Sequence, residues 1–170
     1  KIVAANTTGT MVFTSGIEDI VGNLVTGNGQ HNDLATITAR TTDVIITVTD
    51  EVTVAEANII AGATTGQVDF AHADGIKDTA DSMAAATTVQ NGATAGDETA
   101  AFDAATAAGT ANGDNAVAIN VTTAANVAQA NAIALATTGL VTFQAGITDD
   151  ISAMVANNAA TAAFAAATDG

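Results

Sequence analysis

The sequence predicts an α/β fold: a solenoid-like tandem array of strand-helix-strand-helix units with parallel strands. Three observations carry this expectation. The motif Thr-Thr-Gly-x-x-x-Phe occurs three times, at Thr7-Thr8-Gly9 with Phe13, Thr64-Thr65-Gly66 with Phe70, and Thr137-Thr138-Gly139 with Phe143. Each copy sits in a longer register. Val54-Ala55-Glu56-Ala57-Asn58 matches Val127-Ala128-Gln129-Ala130-Asn131 ahead of the motif, and Gly-Ile-x-Asp follows it at Gly16-Ile17, Gly75-Ile76 and Gly146-Ile147. Within that register the apolar spacing switches between the period of a strand and that of a helix, and such chains bury their core between neighbouring units.

The motif glycines stand 57 and then 73 residues apart, and the landmarks place the extra residues in the middle copy, near 71–75, 85–97 and 107–115. Insertions are tolerated in surface connections, so loops are expected there. The chain divides into a partial first unit over 1–43, a second over 44–115 and a third over 116–170, in one continuous array. By this register Lys1 falls inside a helix and Gly170 just before a strand, which reads as a segment of a longer protein. A single compact α/β domain with internal duplication is the alternative architecture.

Each unit opens with a strand. Val44–Thr49 and Val117–Thr122 are rich in β-branched residues; in the second, Val117, Ile119 and Val121 form an inward set, leaving Ala118, Asn120 and Thr122 on a lightly polar face. A helix follows, because Val54, Ala57, Ile60 and Ala61, like Val127, Ala130, Ile133 and Ala134, recur at three- and four-residue steps. Thr53 or Thr123 is placed to cap it, and Gly66 or Gly139 to end it at positive φ. Met11 with Phe13, Val68 with Phe70, and Val141 with Phe143 give the second strand.

A second helix is expected from Ile17, Val21 and Leu24, or Ile147, Ile151 and Met154, at i, i+4, i+7 spacing. Asp19, Asp78 and Asp149 fall in its first turn, where the helix dipole favours a carboxylate. An Ala-rich third helix carries Leu34, Phe102 or Phe164. The positions expected to build the core of the array are Gly9, Phe13, Ile17, Gly66, Phe70, Ile76, Gly139, Phe143 and Ile147.

Composition narrows the function. Hydrophobic residues make up 48% but aromatics only 3%, so the core must be built from Ala, Val and Ile in thin layers. Three basic residues, Lys1, Arg40 and Lys77, face 18 acidic ones, for a net charge of −15. No basic surface is available for phosphates, which excludes nucleic acid as a partner. No run of about twenty apolar residues occurs, so no transmembrane helix is expected. With no cysteine, neither thiolate metal sites nor cysteine catalysis can be built.

His31 and His72 stand in polar connections without counterparts in the other copies, no serine lies in a nucleophile elbow, and no phosphate-binding glycine loop occurs. The paired acids Asp149-Asp150 fit a helix start better than glycosidase chemistry. The chain is therefore expected not to be an enzyme and to need no cofactor. Calcium is the metal its loops could take, with Asn28, Asp33, Asp74 and Asp114 as candidate oxygen ligands, although none has EF-hand spacing. An ice-binding Thr array is disfavoured by Asp69 and Asn120 among the outward positions.

The cysteine-free, acidic, Ala/Thr-rich composition, with the Val-Ala-x-Ala-Asn, Thr-Thr-Gly, Phe and Gly-Ile-x-Asp register, resembles repeat segments of large secreted bacterial surface, filament or adhesin-type proteins. That resemblance implies an extracellular or cell-surface structural protein that self-associates end to end or stacks on neighbouring repeats of a longer chain. The alternative is a glycan- or receptor-binding module, such as a phage tail fibre or adhesin tip, using the loops of the middle copy. The Gly-Gly-x-Gly-x-Asp calcium nonapeptide is absent.

Overall fold

A computed structural model describes residues 11–88, 117–137, 139–156 and 159–160. In chain order the first half holds β1 (Ile17–Asp19), α1 (Val21–Leu24), β2 (Val25–Thr26), β3 (Gly29–Gln30), α2 (Asn32–Thr38), β4 (Ile46–Val48), α3 (Val54–Ala63) and β5 (Val68–Phe70). It continues with β6 (Ile76–Asp78), α4 (Ala80–Thr88), β7 (Ile119–Val121), α5 (Val127–Ala134), β8 (Val141–Phe143), α6 (Ile151–Met154), β9 (Val155–Ala156) and β10 (Ala159–Ala160). The chain is thus α/β with parallel sheets.

Two three-stranded parallel sheets, β1-β4-β5 and β6-β7-β8, are laid out on one plan. Ile17 pairs with Ile46 and Ile46 with Val68 in the first; Ile76 pairs with Ile119 and Ile119 with Val141 in the second. Isolated bridges from Val52 to Ile76 and from Ala125 to Ile147 continue the pattern past β4 and β7. The β-branched runs Val44–Thr49 and Val117–Thr122 become the central strands because they bury apolar side chains between neighbours on both sides.

The helix between β4 and β5 begins at a capping box: the Thr53 hydroxyl accepts from the Glu56 amide and the Glu56 carboxylate accepts from the Thr53 amide. Asn126 and Gln129 form the same box at the start of α5. α3 packs against α2, α4 and β6, and α4 packs against α5. One continuous core results, running from Leu24 and Leu34 through Ile46, Ile60, Phe70 and Ile76 to Ile119 and Ile133. Each fully buried Ile or Val in it contributes about 1.5–3 kcal/mol.

Several expectations are corrected. Ile17 and Ile76 lie in strands, and Ile147 in a β-bridge, rather than in a helix; helix begins only at Val21, Ala80 and Ile151. The i, i+4, i+7 spacing straddles a strand and a helix that share one buried side. Met11–Phe13 forms no strand, although Met11 is buried. Gly66 is not among the positive-φ glycines of the described residues, which are Gly16, Gly27, Gly75 and Gly146. A Cβ at Gly66 would strike the Val44 carbonyl and lie 2.5 Å from that of Asp43, so close approach of the backbone explains this glycine.

Thr123 does not cap α5; Asn126 does. Residues 85–88 of the expected loop 85–97 continue α4. The hairpins β2-β3 and β9-β10 are antiparallel elements that the repeat pattern did not anticipate. Gly9, Phe102, Asp114, Phe164 and the insertion at 107–115 lie outside the described residues.

Candidate functional site

The strand-helix-strand segments are tied by a threonine clasp. After α3 the buried Thr64 hydroxyl donates to the Val44 carbonyl at 2.6 Å and accepts from the Gly66 amide at 2.9 Å. After α5, Thr137 repeats this with the Val117 carbonyl at 2.7 Å and the Gly139 amide at 2.9 Å. The Thr-Thr-Gly motif therefore returns the chain to the sheet beside the strand on which it began.

The Gly-Ile-x-Asp segment forms the second junction. A tight turn places the glycine amide on the carbonyl three residues earlier, Gly16 on Phe13, Gly75 on His72 and Gly146 on Phe143. This register locates the two-residue excess of the middle copy at Ala71-His72. The aspartate that follows has two roles. Asp78 accepts from the Val54 amide at 3.1 Å and from the Thr79 amide at 2.7 Å; Asp149 accepts from Val127 at 3.1 Å and from Asp150 at 2.8 Å. It so satisfies an orphan amide in the first turn of α3 or α5 while turning its own strand into the next helix.

The following strand engages the same segment from the other side. Ile17 donates to the Ile45 carbonyl at 2.8 Å, Thr49 donates to the Asp19 carbonyl at 3.1 Å, and the Asp50 carboxylate accepts from the Val21 amide at 2.7 Å. In the second sheet, Ile76 donates to the Ala118 carbonyl at 3.0 Å, Thr122 donates to the Asp78 carbonyl at 2.9 Å, and the Thr123 hydroxyl accepts from the Ala80 amide at 2.9 Å. The site is thus a joint between neighbouring parallel strands, built twice from corresponding backbone groups.

Compared with known proteins, the chain finds no match: no family model, no curated protein and no solved structure.

Of the expected core positions, Gly66, Phe70 and Ile76 are buried, and Phe13, Ile17, Phe143 and Ile147 are partly buried against the same core. Gly139 is partly exposed. Ile17 and Ile76 hold corresponding places in the two joints, and Ile147 corresponds to Ile76 in its bridge to Ala125. The cap supplied by Asp50 and Thr123 was missed from the sequence, because a carboxylate and a hydroxyl share only the ability to accept.

The described candidate calcium ligands, Asn28, Asp33 and Asp74, stand in separate segments. Asn28 is exposed at the β2-β3 turn, and Asp33 lies at the start of α2 beside His31. Asp74 stands with Glu51 and His72, their ligand atoms lying within 4.8 Å of one another. Lys77 occupies this cluster's edge, its ammonium 2.7 Å from the Glu51 carboxylate, and that hydrogen bond raises the Lys77 pKa above its ordinary value. Both histidines are engaged by their own loops, since Nδ1 of His31 accepts from the Asp33 amide and Nδ1 of His72 from the Asp74 amide. A groove of about 500 Å³ runs beside Phe13, Ile17, Asp19, Asn23, Asp33 and Leu34, with the Asp19 carboxylate engaged by the Ile20 amide and the Asn23 side chain.

Asn120, expected on a lightly polar face, is buried, and its Oδ1 has no hydrogen-bond partner among the described residues. In register it lies between Lys77 and Thr142. No helix among the described residues is long and apolar enough to cross a membrane.

Proposed function

We propose that this is a structural, non-enzymatic repeat protein whose α/β units stack into a solenoid-like array, as part of an extracellular filament, sheath or adhesin. The observation that carries the reading is the joint made twice with corresponding donors and acceptors, between Gly16–Val21 and Ile45–Asp50 and between Gly75–Ala80 and Ala118–Thr123. A joint that works by backbone pairing can be repeated without limit, whereas an enzyme would need polar groups converging in a cleft. The acidic surface suits a secreted array, since a net charge of −15 opposes non-specific aggregation while salt screens self-repulsion. Electron microscopy and sedimentation at high concentration in native salt test the reading. Regular fibres are expected; isolated globular particles and a monodisperse monomer would sink it.

A further inference from the structure

The Gly-Ile-x-Asp segment presents the same groups three times, and in two of them the following unit covers those groups. At Gly16, the position of a Cβ lies 2.7 Å from the Ile45 carbonyl, and at Gly75 it is blocked by the Ala118 carbonyl; at Gly146, which shares their positive φ, no atom of the described residues lies within 4 Å. The Ile17 and Ile76 amides and the Asp19 and Asp78 carbonyls are paired by the following strand. The Ile147 amide and the Asp149 carbonyl have no such partner among the described residues. Among the described residues, the Ile151 amide likewise lacks the cap that Asp50 gives Val21 and Thr123 gives Ala80. Side-chain burial follows suit: Ala80 is 1% exposed and Ile151 79%. Leu24 and Met83 are buried, whereas Met154 is only partly so.

We infer that Gly146–Ile151 is an acceptor site for an added β-strand, and that its occupant is an extended segment of the type Val44–Asp50 from a further unit of the same kind. The occupant's chemistry is set by the two joints already made. It carries apolar side chains at alternate positions, a free carbonyl opposite Ile147, a free amide opposite Asp149, and a carboxylate or hydroxyl to receive the Ile151 amide. The Val44–Asp50 segment of a second folded copy is not free to serve, because it is already paired with its own β1. The inference rests on the stacked-unit reading and names the surface on which a further unit with a free strand of this type would stack; fibres of folded copies alone would use other contacts.

The test uses the full chain and a fluorescein-labelled peptide of residues 42–51, which spans the occupant pattern. Both are acidic, so saturable binding at about 150 mM salt reports pairing rather than charge attraction. A saturable rise in anisotropy is expected. N-methylation of the peptide at Thr49 removes the donor to Asp149 and should weaken binding at least ~10-fold, while N-methylation at Ile46, whose amide faces the opposite neighbour in the joint already made, should leave it within ~3-fold. Gly146→Val should also weaken binding at least ~10-fold, by placing a side chain where the incoming carbonyl must lie. Absence of saturable binding, or equal binding of the two N-methyl peptides, overturns the inference. Peptide binding by a chain that stays monomeric would retain this site and remove self-assembly, so the two readings fail separately.

Discussion

The Asp78 carboxylate accepts a hydrogen bond from the Val54 amide at 3.1 Å, across 24 residues of chain. With its other oxygen it accepts from Thr79, so one side chain joins the start of α3 to the end of β6. Asp78→Ala removes both bonds and a negative charge at a helix N-terminus, and should cost about 1–2 kcal/mol. Asp78→Asn keeps one acceptor and should cost about half as much. Urea denaturation of the two variants checks the order; equal losses would mean that the carboxylate acts through something other than its two acceptors.

The Thr64 clasp is buried, so its failure should be more expensive than loss of an exposed bond. Thr64→Val preserves shape but leaves the Val44 carbonyl and the Gly66 amide without the hydroxyl, predicting a loss of about 1–3 kcal/mol. Thr64→Ser should recover most of it, because the hydroxyl returns. Thr137→Val should behave alike at the clasp after α5. Denaturant midpoints at constant m-value provide the measurement.

These two contacts show what a sequence makes legible. Val44–Thr49 could be read as a strand because its signal is local alternation, and β4 lies inside that run. The clasp could be seen as a motif but not as a contact, since its acceptor lies 20 residues back. Helix start points were misread where strand and helix share a buried side: Ile17 and Val21 satisfy helical spacing although the chain changes conformation between them. The β2-β3 hairpin had a local signal that the repeat register obscured, the two-residue Gly27-Asn28 loop with Gly27 at φ 59°. The pairing of Asp50 with Thr123 as equivalent caps had none, because one position carries a carboxylate and the other a hydroxyl.

Gly75 and Gly146 occupy corresponding turns but should respond unequally to substitution. Both have positive φ, at 49° and 73°, which penalises any side chain by about 1–2 kcal/mol. Only Gly75 also abuts a carbonyl, that of Ala118. Gly75→Ala should therefore cost about 3 kcal/mol or more, and Gly146→Ala about 1 kcal/mol, when overlap is added to strain. Thermal unfolding of both variants decides this; equal shifts would contradict the close packing at the β6-β7 joint.

Asn120 offers the opposite sign. Its buried Oδ1 has no hydrogen-bond partner among the described residues, and its strand position suits a β-branched residue. Asn120→Val should stabilise the protein by about 1 kcal/mol, read as a higher denaturant midpoint. A destabilisation of similar size would show that the amide makes a needed contact.

The net charge of −15 makes stability depend on salt in a way that separates screening from specific metal binding. At about 10 mM salt the Debye length is about 30 Å, comparable with a small domain, and at about 150 mM it falls to about 8 Å. The melting temperature should therefore rise by several degrees between these conditions as carboxylate repulsion is screened. Calcium added to a calcium-stripped sample at constant ionic strength should add little. In the Glu51, His72 and Asp74 cluster one ligand is an imidazole nitrogen, which calcium disfavours, and the Lys77 ammonium already holds Glu51. A further rise on adding calcium, reversed by a chelator, would instead identify a bound ion; Asp74→Asn would then show whether this cluster holds it.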